Sequence, residues 1–390
     1  MAAAPKTATF SLNDRGVRAV LYQIITIGSV ILVAAYLVSN TMNNLETRQI
    51  QTGFGFLSQE SGFAIAESLI DYAPSDTYGR AMVVGFLNTV KVSLLGIVLA
   101  TIIGTVIGVA RLSSNWMIAK LMSVYVNLVR NIPVLLQIIL WHTVLTNTLP
   151  HPRQSISLFD SIFLSKRGFY MPFPVDHLGW TLFLIAIPVA VVIAVMLNKW
   201  ATRRQEMTGE QFPAILAGIG IVVFLPILAW AVGGAPTAFD VPALKGFNME
   251  GGARVTPEFA AVLIGLTVYT SAFIAEVVRS GILAVSHGQT EAGRSLGLSE
   301  GVIMRKIILP QALRVIVPPT TNQYLNLTKN SSLAVAVGYP DLVSTGNTTL
   351  NQTGQAIEAI LIMMTVYLAT SLSTSLFMNW YNKKIQLVER

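Results

Sequence analysis

Cysteine is absent from the 390 residues, which excludes disulfides, thiolate metal sites and cysteine nucleophiles. Histidine is scarce: His142, His151, His177 and His287 are scattered, and no HExxH motif pairs them. No lysine follows a glycine anywhere in the chain. There is thus no Gly-Lys phosphate loop with which the protein could hold ATP itself. Charge is also thin, at 12% of residues, against about 25% in soluble domains. Apolar residues make up 53%, the balance of an integral membrane protein. The net charge of +7 fits Lys and Arg retained on an inner membrane face. Nucleic-acid binding would need a basic patch interleaved with aromatics, and none is present.

Crossing the hydrocarbon core takes roughly 20 apolar residues. Eight stretches qualify, about 19–39, 82–110, 121–146, 179–197, 213–233, 257–280, 311–336 and 356–380. The first reads as an uncleaved anchor, because its long apolar run ends without a good small-residue cleavage site. With the N-terminus placed inside, sixteen of the 26 Lys and Arg residues fall on inner segments and seven on outer ones. Both termini are therefore expected inside. Residues 1–18 form an inner N-terminal segment, 19–39 the first span, 40–81 a polar, acidic outer loop and 381–390 an inner tail. The outer stretches 147–178 and 234–256, rich in Pro, Gly and aromatics, read as ordered surface.

One inner loop stands out. In "EAGRSLGLSEGVIMRKIILP", Glu291 to Pro310, Ser286 and Gln289 make a capping-box spacing for a helix start. Gly297 suits a left-handed C-cap. Ser299 and Glu300 suit a second short helix, and Pro310 the first turn of the next span. The loop reads as a structured helix–turn–helix, and structured loops commonly meet a partner.

The spacing Glu291, Ala292, Gly293, Gly297, Ile307, Leu309, Pro310 resembles the signature loop of ABC importer permeases, with Gly293 where a second Ala is usual. The flanks are similar to the polar amino-acid (histidine/glutamate-type) branch of that family. They include "GFLNTVKVSLLGIVLATIIGTVIGVARLS", "AFIAEVVRSGILAVSHGQTEAGRSLGLS" and "YVNLVRNIPVLLQIILWH", the last with Asn131 and Ile132 where Gly and Thr are usual. The resemblance covers core parts 82–146 and 257–380, the latter including the coupling loop 281–310. Residues 147–256 are an insertion with two extra spans. Together with the long 40–81 loop, this layout resembles a permease subunit of the general L-amino-acid importers.

The resemblance implies an all-α type I ABC importer transmembrane domain of about eight helices. It implies a multi-pass protein of the bacterial inner membrane with cytoplasmic termini and a periplasmic 40–81 loop. The implied partners are a second, different permease, a dimer of ATP-binding cassette ATPases and a periplasmic amino-acid-binding protein. The chain itself is expected to bind no cofactor and no metal, with ATP and magnesium held on the ATPase. Glu291 would anchor the loop to that ATPase.

Charges within spans are costly, at least about 2.5–3.5 kcal/mol on insertion scales, and so mark candidate sites. Arg130 and Glu276 are of opposite sign within the family-like segments and could receive the carboxylate and ammonium of a free amino acid. Mutual pairing or bundle packing is an equal reading. Lys91 and Lys329 fit structural, snorkelling positions. Gly96, Ala100, Gly104 and Gly108 repeat at small-xxx-small spacing, which favours close helix contact. A secondary transporter or channel for small polar solutes is the alternative from another class. It would commonly show inverted repeats, and none is found.

Overall fold

A computed structural model describes residues 15–47 and 52–385. The expectations for residues 1–14, for 48–51 of the outer loop and for 386–390 of the tail lie outside the described residues. The helices are α1 (Arg15–Thr47), α2 (Tyr78–Ala110), α3 (Trp116–Asn131), α4 (Val134–Asn147), α5 (Leu178–Thr208) and α6 (Ala214–Val232). They continue with α7 (Pro257–Leu283), α8 (His287–Ser295), α9 (Glu300–Ile303), α10 (Leu309–Asn330), α11 (Leu342–Thr353) and α12 (Ala356–Ile385). Among the described residues, α1, α2, α5, α6, α7 and α12 are long and apolar enough to cross a membrane. The bent pair α3–α4 makes a seventh if it is one span. At the eighth expected position α10 has 22 residues, about 33 Å of rise, but Arg314, Asn322, Asn326 and Lys329 make it more polar.

The expected continuous span 121–146 is broken, with α3 and α4 bent by 102°. Pro133 is the cause. It forces Ile132 into an extended conformation (φ −98, ψ 125), because the proline ring disfavours a helical residue before it. The freed carbonyls need donors where water is excluded. Buried Gln137 supplies them, its Nε2 donating to Val129 O and Ile132 O at 3.0 Å each.

The insertion is more than helix. Short strands β1 (Ile156–Leu158), β2 (Ile162–Ser165), β3 (Gly168–Met171) and β4 (Phe173–Pro174) precede α5, and β5 (Phe239–Asp240), β6 (Ala243–Lys245), β7 (Asn248–Glu250) and β8 (Ala253–Val255) follow α6. They join across the insertion in an antiparallel sheet of order β1-β2-β3-β8, with Phe169 opposite Val255. The two loops read separately in the sequence thus fold on one another, a β element that the all-α expectation did not contain.

The chain divides into two units. One comprises residues up to Asn88 with Pro340–Ser373, the other Thr89–Tyr339 with residues from Thr374 on. In the first, the polar loop after α1 is anchored by apolar residues. Phe56 is buried with Tyr78, Met82, Leu342, Ala359 and Met363, and the rings of Phe56 and Tyr78 meet edge-on at 6.2 Å. Glu358 accepts the Gly53 N–H at 2.6 Å, and Asn88 donates to Glu67 O and Pro340 O at 2.8 and 2.9 Å. Asp341 caps α11, accepting Ser344 N–H at 2.8 Å, with Tyr367 Oη at 3.4 Å.

Complete burial pushes the Asp341 carboxyl up from 3.8 to about 7. The folded chain therefore keeps a proton that the unfolded chain releases, and stability falls as pH rises through that window. Wild type should melt several degrees lower at pH 8 than at pH 5, and Asp341→Asn should lose most of that slope. Thermal unfolding in detergent across pH checks this.

The second unit is built around α7, whose apolar window is 61% buried. Thr256 caps it by accepting Phe259 N–H at 3.2 Å, and Pro257 fills the first turn, where its missing N–H costs nothing. Neighbouring helices reach α7 through glycine. A Cβ on Gly104 of α2 would stand 2.7 Å from Ile274 Cβ, and one on Gly108 2.7 Å from Ala275 O. One on Gly265 of α7 would stand 2.8 Å from Ile138 Cγ1 of α4. The small-residue repeat thus marks real close contacts. Gly104→Val should destabilise the protein by roughly 1–3 kcal/mol, the usual range for overpacking. Gly28→Val, on α1 with nothing within 4 Å, should be neutral. Melting temperatures of the two variants test the contrast.

Candidate functional site

Two constellations lie on either side of the end of α7. The first is ionic. Glu276 Oε2 receives Arg111 Nη1 at 2.5 Å, and Oε1 receives Arg279 Nη2 at 2.9 Å. Arg130 Nη1 stands 3.8 Å from Oε2, its guanidinium 4.9 Å from the centre of the Phe273 ring. The two residues singled out from the sequence are thus brought together, but with company. Arg111 follows α2 directly and also donates to Ser123 Oγ of α3 at 3.3 Å. Its side chain is only 8% exposed, against 28% for Glu276 and 37% for Arg130. Three guanidiniums surround one carboxylate, and a substrate ammonium would have to displace them. From the sequence Arg111 and Arg279 counted only among the sixteen basic residues of the inner segments and the span edges that meet them. Arg279 was findable, three residues from Glu276 on one helix face; Arg111 had no local signal. The departures Asn131 and Ile132 carry no strain, since neither has positive φ.

Lys91 sits 4.3 Å from the centre of the Phe259 ring, a cation–π contact consistent with a packing role.

The second constellation is the loop after α7. Ser286 is the N-cap of α8, but its side chain caps nothing. The expected capping box is not formed: Gln289 N–H donates to the Ser286 carbonyl at 3.0 Å rather than to its hydroxyl, and Gln289 Oε1 faces Gln311 Nε2 of α10 at 3.5 Å. At the other end the reading holds in detail. Gly297 has φ +71, Leu298 N–H donates to Gly293 O at 3.1 Å, and Gly297 N–H donates to Arg294 O at 2.9 Å. This is a complete Schellman turn. Arg294 Nε then bridges to Glu300 Oε1 at 2.6 Å, which holds the Glu300 carboxyl below its ordinary value.

The unusual Gly293 has a packing reason. A Cβ there would stand 2.8 Å from Ile303 Cγ1 and 3.3 Å from Ile307 Cδ1, and Ile303 is fully buried. From Glu300 to Asn330 the chain stays helical, through a wide π turn over Met304–Ile308. Pro310 therefore lies just after that turn rather than at the start of a separate helix. A proline inside a regular helix loses a hydrogen bond and strikes the carbonyl four residues back. The wider turn before it relieves both.

Glu291 is exposed, with His287 Nδ1 at 3.1 Å from its Oε1. Around it the loop shows solvent an apolar surface of Leu296 (77% exposed), Val302 and Met304. Leu296 is the most exposed of the three.

A multi-span helical chain with no phosphate loop and a rigid helix–turn–helix between two spans is the architecture of an importer's membrane subunit. Residues 179–387 match the family described as the binding-protein-dependent transport system inner membrane component. The chain is 50% identical over 383 residues to the putative amino-acid ABC transporter permease YhdX of Escherichia coli, covering 98% of each. It is 47% identical over 380 residues to the general L-amino acid transport system permease AapQ of Rhizobium johnstonii, covering 97% of this chain and 95% of that one. Its identity is 43% over 430 residues with the glutamate/glutamine/aspartate/asparagine permease BztB of Rhodobacter capsulatus, covering 100% of each. A solved structure of an amino acid ABC transporter with histidines overlays on 79% of this chain and 95% of its own, at TM-score 0.47 and 19% identity. The chain belongs to the binding-protein-dependent inner-membrane transport components, and within them to the amino-acid ABC transporter permeases.

Removal of Arg111 takes from Glu276 its shortest and most buried partner and leaves Arg279 as the one guanidinium in hydrogen-bond contact. Arg111→Ala should lower stability by about 1.5–3 kcal/mol, the range for a hydrogen bond to a charged group. A double-mutant cycle with Glu276→Gln should return a coupling of about 1–3 kcal/mol. Unfolding of the four proteins in detergent measures it.

Proposed function

We propose that this chain is one permease of a heterodimeric importer for a range of L-amino acids, and that residues 281–310 are its docking element for a separate ATPase. The observation that carries this reading is the loop itself: a Schellman-capped, internally packed helix–turn–helix presenting Glu291 beside the exposed Leu296, Val302 and Met304. Apolar side chains held in water by a loop of fixed conformation suit a partner's groove. ATP and magnesium belong to that ATPase, and this chain supplies no ligand to them. The names of AapQ and BztB support amino-acid cargo, the family description supports delivery by a binding protein, and a second, different permease completes the pathway in this reading. The termini and the loop 281–310 are cytoplasmic in this reading, on the Lys and Arg distribution, and the 40–81 loop is periplasmic.

ATP-driven closure of the ATPases pulls on α8. Because α8 follows α7 and the stretch from Glu300 runs unbroken into α10, the pull reaches both spans as rigid-body rocking. Within the membrane, Glu276 serves as counter-ion to Arg111 and Arg279. Arg130, the most exposed of the three arginines, is the residue free to meet a substrate carboxylate.

In the reconstituted complex, amino-acid-loaded binding protein should stimulate ATP hydrolysis. Glu291→Ala and Leu296→Asp should each lower stimulation and transport tenfold or more without changing this chain's melting temperature. Full transport by both variants would sink the docking role.

A further inference from the structure

The α5–α6 hairpin carries a groove that transport coupling leaves unused. The helices approach closely where Gly218 faces Ala194, whose Cβ lies 3.4 Å from the position a glycine Cβ would take. Along this line runs a cavity of 580 Å3 walled by Val191, Val195, Ile215 and Ile219 and ended by Asn198 and Lys199. Lys199 to Val191 spans eight residues, about 12 Å of helix. The groove is therefore an apolar channel with one cation at its mouth.

The rings of the hairpin place that mouth. Trp180 and Trp230 meet at 6.2 Å at one end, and Trp200 and Phe212 meet edge-on at 5.6 Å at the other. Trp180 and Trp200 are twenty residues apart, about 30 Å along the helix, which is the thickness of the hydrocarbon core. Tryptophans favour the two membrane interfaces, so Lys199 beside Trp200 lies at headgroup depth. Arg203 follows one turn on, on the same face. Among the described residues neither has an ion pair, whereas Arg204 is taken by Glu210 at 2.6 Å and lies over the Trp200 ring.

We propose that this groove is a binding site for one anionic phospholipid. Its phosphate sits on Lys199 and Arg203, and an acyl chain lies along Val195, Ile219 and Val191. Two unpaired cations at one end select net negative charge over a zwitterionic headgroup, and the apolar walls hold an acyl chain that a free phosphate ion lacks. The two cations at the mouth would be left without a partner by an apolar helix and are answered by an anionic headgroup, which makes a lipid the occupant.

The test is native mass spectrometry of the full chain in detergent, with phosphatidylglycerol or phosphatidylcholine of the same acyl chains added. Phosphatidylglycerol should be retained at least fivefold better. Lys199→Ala with Arg203→Ala should abolish that preference, Lys199→Arg should keep it, and Ile219→Trp should weaken retention of both lipids by filling the groove. Melting temperatures certify that each variant folds. Equal retention of the two lipids, or a preference unchanged in the double variant, would overturn the proposal. So would disulfide capture of Val195→Cys, in this cysteine-free chain, by a cysteine in the sister permease. None of these readouts depends on ATPase coupling, so failure here and failure of the docking role are separable.

Discussion

The second unit depends on how closely other helices can come to α7. In a bilayer, lipid is as apolar as leucine, and helices associate through contact rather than through release of water. Glycine removes the side chain that would hold two backbones apart. Gly104 and Gly108 do this for α2, Gly265 for α4, and Gly281 for α10, where a side chain would collide with Ile316. Four contacts of this kind leave α7 little freedom to shift alone, so a displacement at its end is shared with its neighbours.

What α7 holds at that end follows from this rigidity. Glu276 lies two turns before the helix stops and gathers Arg111, Arg279 and Arg130. The cluster ties the end of α2, the break after α3 and the last turns of α7 together. Beyond it α8 begins almost at once, and the Gly293–Ile303 contact closes the 281–310 loop on itself. The loop is thus fastened at both ends, by α7 on one side and by the unbroken helical run into α10 on the other. Attachment of this kind is what the proposed docking role requires.

Much of the loop was legible because its signals are local. Ser286 and Ser299 start helices, and Gly297 adopts the left-handed turn that only glycine takes freely. The same locality explains the failures. At Ser286 the capping box did not form, and the Gln289 side chain faces Gln311, twenty-two residues on, a neighbour that no short window contains. The stretch 121–146 read as one span by its hydropathy; the 102° bend comes from Pro133, and Gln137 heals it by satisfying carbonyls in a dry interior. Arg111 looked like an ordinary inner-loop base until α2 and α7 were brought side by side. The pairing of β3 with β8 joins segments separated by a whole helical hairpin.

By itself the sequence determined the class of molecule: an apolar, cysteine-free, phosphate-loop-free chain with about eight spans and one structured polar loop. Those properties reside in composition and in short-range pattern, where hydropathy, glycine and proline act without knowing their neighbours. Only the tertiary structure decided which charge Glu276 answers, why Gly293 must lack a side chain, and where a lysine meets an apolar groove. Each is set by contacts between residues from ten to more than a hundred positions apart, and the free energy of such contacts exists only once the helices have packed.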